Sequence, residues 1–266
     1  MTPPSNNLHI AAQGPFWVLS DIWTMTKRNL LAYIRLPQLL IFSTIQPIMF
    51  MLLFAFVFGG AIQTRSESYI NYLVPGIIVQ TVIFGAMQTG VGLAADLSKG
   101  MIDRFRSLPM ARSAVLAGRT IAEAIRNLFI IILMTTVGYI IGFRFHESLG
   151  DAALAIGLTI LFGFAFSWIS ATIGIVVKNI ETAQVAGFIW VFPLVFASSI
   201  FVPVETMPNW LQHFVKINPI TVTVNTVRGL TLGFPITPDI WYSLLWIAGI
   251  LLVFVQLAVY FYRKAN

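Results

Sequence analysis

Long uninterrupted apolar runs, separated by short polar or charged stretches, dominate the chain. Six of them reach or approach the ~20 residues that a helix needs to cross a hydrocarbon core about 30 Å thick. They cover residues 39–61, 71–95, 127–143, 152–177, 183–202 and 240–262. None shows the alternating polarity of barrel strands of about ten residues. The expected fold class is an all-α membrane protein with six transmembrane helices. The first run begins too deep in the chain, and is too long, for the ~7–15-residue core of a secretory signal, so cleavage there is not expected.

The segments outside the runs carry their own pattern. Residues 1–14 are polar and Pro-containing and read as a loose N-terminus. Over 15–36, Phe16, Leu19, Trp23, Leu30 and Ile34 recur at helical spacing, with Asp21, Thr24, Lys27, Arg28 and Arg35 mostly off that face. This predicts an amphipathic helix lying in the inner interface. Residues 37–266 then form the six-span domain. Between the second and third spans, Met101, Ile102, Phe105 and Leu108 recur within a densely charged stretch that ends at Pro109. A short amphipathic helix fits, followed by a second that starts near Ser113 and runs into the third span. Along that second helix Arg119, Glu123 and Arg126 are spaced to pair. Before the sixth span, Trp210, Leu211, Phe214, Val215 and Ile217 form an apolar stripe among five prolines. Short helices resting on, or dipping into, the outer leaflet are expected there.

Composition sharpens this picture. Of 266 residues, 58% are hydrophobic and only 10% are charged, against about 25% charged in soluble domains. The mean hydropathy is +0.84. A soluble globule would lack charged surface to cover this apolar mass, and a disordered chain would lack hydrophobes. The net charge of +6 has a topological explanation. With the N-terminus inside, Lys27, Arg28, Arg35, Lys99, Arg104, Arg106, Arg112, Arg119, Arg126, Lys178, Arg263 and Lys264 fall on the cytoplasmic side. Only Arg65, Arg144, Lys216 and Arg228 fall outside. The positive-inside bias therefore places both termini in the cytoplasm, and no nucleic-acid partner is needed. Tyr69, Tyr72, Trp241, Tyr242, Tyr260 and Tyr262 sit at expected span ends, where aromatic rings favour the headgroup level.

Several chemistries have no residues to carry them. With 0 cysteines there is no disulfide, thiolate metal site or Cys nucleophile. His9, His146 and His213 lie far apart and outside the spans, so no metal site is expected. None of the five lysines follows a glycine, so the chain has no phosphate loop and is not expected to be an enzyme. The expected spans lack Asp, Glu, Lys and Arg, with Glu123 and Glu181 at the cytoplasmic edge. Proton-coupled carriers need a titrating group in the bilayer, which weakens that reading. Sodium could still use backbone and hydroxyl oxygens, so a stand-alone secondary carrier stays open. Within the spans, Ala86, Gly90 and Ala94 form one small-residue row and Gly163, Ser167 and Ala171 another. Such rows let helices approach closely, within one chain or between two. Pro47 and Pro193 should each interrupt a span's hydrogen-bond ladder.

Two blocks are more specific. One is Gly100-Met101-Ile102-Asp103-Arg104-Phe105-Arg106-Ser107-Leu108-Pro109-Met110-Ala111-Arg112-Ser113, with Gly118-Arg119. The other is Phe201-Val202-Pro203-Val204-Glu205-Thr206-Met207-Pro208-Asn209-Trp210-Leu211, followed by Asn218-Pro219 and Arg228-Gly229. With the span pattern, they resemble type-2 ATP-binding-cassette exporter permeases of the daunorubicin-resistance, drug-efflux type. The resemblance covers nearly the whole chain from about residue 16.

It implies that Lys99, Met101, Ile102, Asp103, Arg104, Phe105, Arg106, Leu108, Pro109 and Arg112 belong to a cytoplasmic coupling helix that docks into an ATPase subunit. The helix bearing Trp17, Trp23, Lys27 and Arg28 would be the connecting helix beside it. Two permease chains, identical or paralogous, would work with two ATPase chains, which bind ATP and Mg. An amphipathic small molecule would leave the cell along the permease interface, in a bacterial cytoplasmic membrane. Gln46, Phe50, Phe54, Gln80, Phe84, Gln88, Phe188 and Phe192 are the candidate path residues. A related permease exporting a polysaccharide or lipid-linked polymer is the alternative.

Overall fold

The computed structural model describes residues 15–35, 37–62, 68–100 and 112–264. Over these residues the fold is all-helical, with nine α-helices. We number them α1 (Pro15–Arg35), α2 (Pro37–Leu53), α3 (Tyr69–Ser98), α4 (Arg112–Ile141) and α5 (Leu149–Val177). They continue as α6 (Ile180–Phe196), α7 (Asn209–Ile217), α8 (Pro219–Leu232) and α9 (Asp239–Lys264). Each of the six expected runs coincides with one apolar helix.

Four helices are long and apolar enough to cross a membrane: Tyr69–Ser98, Ala117–Ile141, Leu149–Val177 and Asp239–Tyr262. Two apolar helices, Thr44–Phe58 and Ile180–Phe196, are shorter. Both contain an internal proline, which removes a backbone donor. Pro47 lies within α2, which passes into a π turn over Phe54–Phe58. Pro193 lies in the last turn of α6, and its carbonyl accepts from the Ala197 amide that closes the helix.

The helix ends have local causes. Ser68, Ser148, Asn179 and Asn218 each accept a backbone N–H at the start of α3, α5, α6 and α8. Pro219 opens α8, where its missing N–H is harmless. Gly233 ends α8 at φ 80°, a left-handed position that suits glycine.

The buried helix α3 is the hub. It packs against α2, α4, α5, α6 and α8. Its small residues explain the closest of these contacts. Gly90 lies against the backbone of Ser170 on α5, and Gly174 lies against Gly90, with no room for a Cβ at either glycine. Gly163 is filled in the same way by Val82. Gly90 of the α3 row and Gly163 of the α5 row thus both lie at the α3–α5 contact inside one chain. Leu73, Ile77, Ile83, Met134, Phe162 and Phe166 are fully buried in the adjoining core.

Three expectations need correction. Tyr69 and Tyr72 pack inside the protein rather than lying open at a span end; both are buried. Their hydroxyls donate to the carbonyls of Phe201 (2.9 Å) and Ser199 (2.7 Å). Arg228, counted as an outer loop charge, is a core residue. Its guanidinium donates to the carbonyls of Tyr72 (2.8 Å), Ser199 (2.8 Å) and Ile200 (2.9 Å) and stacks 3.5 Å from the Tyr72 ring centroid. The outer segment also divides in two. α7 leaves Trp210, Phe214 and Ile217 exposed, whereas α8 is buried along nearly its whole length among α3, α5 and α9.

Candidate functional site

A cavity of about 80 Å³ opens between α2, α3, α4 and α6. Helical spacing builds it. Gln46 and Phe50 lie four apart on α2, and Gln80, Phe84 and Gln88 lie four apart on α3. Residues at i and i+4 share a helix face. These two stripes face each other across the cavity, with Phe188 of α6 closing a third side. Six of the eight path residues named from the sequence therefore come together. The other two adjoin them. Phe192 packs edge-on to Phe84 at 6.0 Å and beside Phe188 at 5.5 Å. Phe54 stacks between Phe50 (6.2 Å) and Phe201 (4.4 Å). Phe188, Phe192, Gln46 and Gln88 are exposed, so the cavity opens sideways.

Sequence reasoning missed the most polar residue in the cavity. Arg126 lines it, although it lies within the Ala117–Ile141 candidate span and is only 5% exposed. The candidate span starts ten residues before the expected 127–143 and so takes in Arg119, Glu123 and Arg126. A buried charge persists only when paired, and Arg126 is ion-paired with Glu123, one turn earlier on α4. Tyr33 of α1 donates to the other Glu123 oxygen at 3.0 Å, with its ring 5.7 Å from the Arg126 guanidinium. Burial, and then the Glu123 carboxylate, push the Tyr33 phenol well above its usual range, so it stays a donor.

The room for this charge comes from α3. A Cβ at Gly85 would overlap the Arg126 guanidinium, and one at Gly92 would overlap that of Arg119. Both pairs are seven residues apart, two turns, on antiparallel helices. Two glycine notches on α3 thus receive two arginines of α4. The i,i+4 pairing expected between Arg119 and Glu123 does not form. Arg119 instead pairs with Asp96 of α3 at 2.9 Å, and Asp96 also meets Arg28 of α1 at 3.4 Å. Asp96 therefore ties three helices together at one end of the bundle.

The same end holds the described part of the docking candidates. Lys99 is exposed and closes α3. Arg112 opens α4. Met101, Ile102, Asp103, Arg104, Phe105, Arg106, Leu108 and Pro109 lie outside the described residues, as do residues 1–14. Helix α1 seats Met25 and Thr26 on Gly118 of α4. Its outward side carries Trp17, Leu19, Trp23 and Lys27, all exposed. Of the expected apolar stripe, Leu19, Trp23 and Ile34 face away from the protein.

These features were compared with known proteins. The family model for ABC-2 type transporters matches residues 20–232, most of the chain. The chain belongs to the ABC-2 type transporter family. It is 36% identical over 250 residues to a daunorubicin resistance ABC transporter permease protein of Streptomyces coeruleorubidus, covering 93% of this chain and 86% of that protein. It is 28% identical over 248 residues to a probable doxorubicin resistance ABC transporter permease protein of Mycobacterium tuberculosis, covering 91% and 87%. Membership makes this chain a membrane permease subunit and implies an ABC ATPase partner and a pairing of permeases. The cavity and the Asp96 junction both fall within the matched residues.

Proposed function

We propose that this permease exports drugs or other amphipathic molecules across the cytoplasmic membrane, driven by ATP hydrolysis in a separate ATPase. The observation that carries this reading is the convergence of two i,i+4 stripes and Phe188 on one cavity of aromatic and amide side chains. An amphipathic solute needs apolar walls for its body and a few placed polar groups for its head. The names of both relatives, which refer to daunorubicin and doxorubicin, support a drug-like solute.

In this proposal the six apolar helices all span, with α2 and α6 as the short ones, and both termini are cytoplasmic. Two copies, or two paralogues, pair along the open side of the cavity. The segment from Lys99 to Arg112 docks into one ATPase subunit, and α1 lies in the interface beside it. ATP and Mg belong to the two ATPase chains. When these close, the docking segment pulls on the ends of α3 and α4. The Asp96 junction and the glycine notches make these two helices and α1 move together. The α3–α4 wall of the cavity then shifts against α2 and α6 and alternates access.

Export of a polysaccharide or lipid-linked polymer is the second reading, and the aromatic cavity lining favours it over the carrier. Gentle purification from the native membrane tests the scheme. We expect a stoichiometric ATPase chain with vanadate-sensitive hydrolysis. Phe105→Ala should abolish its co-purification while leaving membrane insertion intact. A chain that purifies alone and shows transport driven by an ion gradient would establish the carrier instead.

A further inference from the structure

Helix α1 presents two different flanks to its surroundings. Its inner face is occupied: Met25 and Thr26 are buried against Gly118 of α4, and Tyr33 donates to Glu123 at 3.0 Å. At 3.6 residues per turn the outer half divides lengthwise. Leu19, Trp23, Leu30 and Ile34 fall on one flank, where Leu19, Trp23 and Ile34 are 64%, 62% and 71% exposed. Thr24, Lys27, Arg28, Leu31 and Arg35 fall on the other, at steps of three and four, and line one groove. Lys27 and Arg35 are exposed, and Arg28 pairs with Asp96. The sequence of the helix holds one acidic residue, Asp21, against these three cations.

A face that is apolar along one side and basic along the other fits a surface that is apolar and anionic side by side. The boundary of a charged leaflet is such a surface, with acyl chains below and phosphates above. Trp17 and Trp23 suit the same level, where aromatic rings favour the headgroups.

We propose that the basic flank of α1 binds the headgroups of anionic phospholipids in the cytoplasmic leaflet, with Lys27 and Arg35 as the phosphate ligands. This rests on the reading of α1 as an interfacial helix given above. Eight residues of helix span about 12 Å, so the two cations meet separate phosphates of neighbouring lipids. The Arg35 fork can take two oxygens of one phosphate, whereas Lys27 acts as a point charge. Their stems lie along the apolar flank while the charged heads reach the phosphates. Leu31, between them, meets the start of the acyl chains. The site also bears on the cavity. Headgroups hold the outer side of α1, and Tyr33 on its inner side braces the Glu123–Arg126 pair.

The test uses the full-length chain reconstituted into phosphatidylcholine vesicles. The sequence has 0 cysteines, so Leu31→Cys carries a single bimane label, four residues from both Lys27 and Arg35. Lipids with brominated acyl chains quench a label that they touch. Brominated phosphatidylcholine shows whether α1 lies on the bilayer. Brominated phosphatidylglycerol, at a small mole fraction, shows whether the helix selects negative charge. We expect both to quench, with phosphatidylglycerol associating more tightly. Lys27→Gln and Arg35→Gln should each lower that preference by about fivefold, the share of one basic residue near an anionic leaflet. Lys27→Arg should retain it, and high salt should weaken it. Lys216→Gln, on α7, should leave it unchanged. Quenching by both lipids without preference would overturn this inference and leave the interfacial helix in place. So would a preference that survives Lys27→Gln and Arg35→Gln together. Quenching by neither lipid would overturn the interfacial reading as well and put a protein surface, such as the ATPase, on this face. The readout needs neither ATPase nor transport.

Discussion

Arg228 shows how much a single side chain holds here. Its guanidinium satisfies three backbone carbonyls where α3, α8 and the chain after α6 meet. Removing one member of a buried polar constellation leaves the others unpaired in a dry site. We expect Arg228→Met to destabilise the permease by about 3–5 kcal/mol, by analogy with broken buried pairs. Arg228→Lys should not rescue it, because an ammonium cannot reach three carbonyls as the planar fork does. A thermal melt in detergent checks both; a natural melting temperature in either variant would contradict this role. The sequence could not disclose it. Charge counting treats every arginine near a span end as solvated, and the Tyr72 carbonyl lies 156 residues away along the chain. Arg126 escaped for the related reason that its notch, Gly85, belongs to another helix. The amide and phenylalanine residues of the cavity were named through the family resemblance, and their spacing of four then puts each set on one face of its helix.

At the scale of elements, runs and caps were plain to read, and partnerships between helices were not. The sequence places α4 as one helix running from the charged stretch into the third apolar run, and the structure has one helix over Arg112–Ile141. It also marks the small-residue rows of α3 and α5 but leaves open whether they meet each other or a second chain. In the structure Gly90 meets Ser170 and Gly174 of α5, and Gly163 meets Val82 of α3, so both rows pack at the α3–α5 contact of one chain. The pairing of Arg119 with Asp96 rather than Glu123 depends on α3 crossing α4 antiparallel, which no local pattern encodes. This junction carries its own prediction. The three side chains are partly exposed, at 34% for Arg28, 19% for Arg119 and 16% for Asp96. Such pairs contribute little to global stability, about 1 kcal/mol or less. Asp96→Asn should therefore leave the melting temperature nearly unchanged yet loosen α1. Hydrogen exchange should quicken along α1, with α3 protected as before. Unchanged protection of α1 would mean that Met25 and Thr26 on Gly118 hold it without the ion pairs.

At the scale of the whole molecule, the arrangement is a hub with one open side. Helix α3 is buried by its neighbours, while α2, the π turn after it and α6 keep Met49, Leu53, Phe56, Phe192 and Phe196 exposed. Lipid, a second permease and a solute can all meet an apolar surface of this kind, whereas water cannot cover it cheaply. Mechanical coupling suits such a chain. Its buried charged pair, Glu123 with Arg126, is held in place by the Tyr33 hydroxyl.

The most direct test uses inside-out membrane vesicles holding this permease and its ATPase, with daunorubicin as the solute. We predict uptake that requires ATP, stops with vanadate and persists when ion gradients are collapsed. Uptake that follows an imposed ion gradient without ATP would contradict the account.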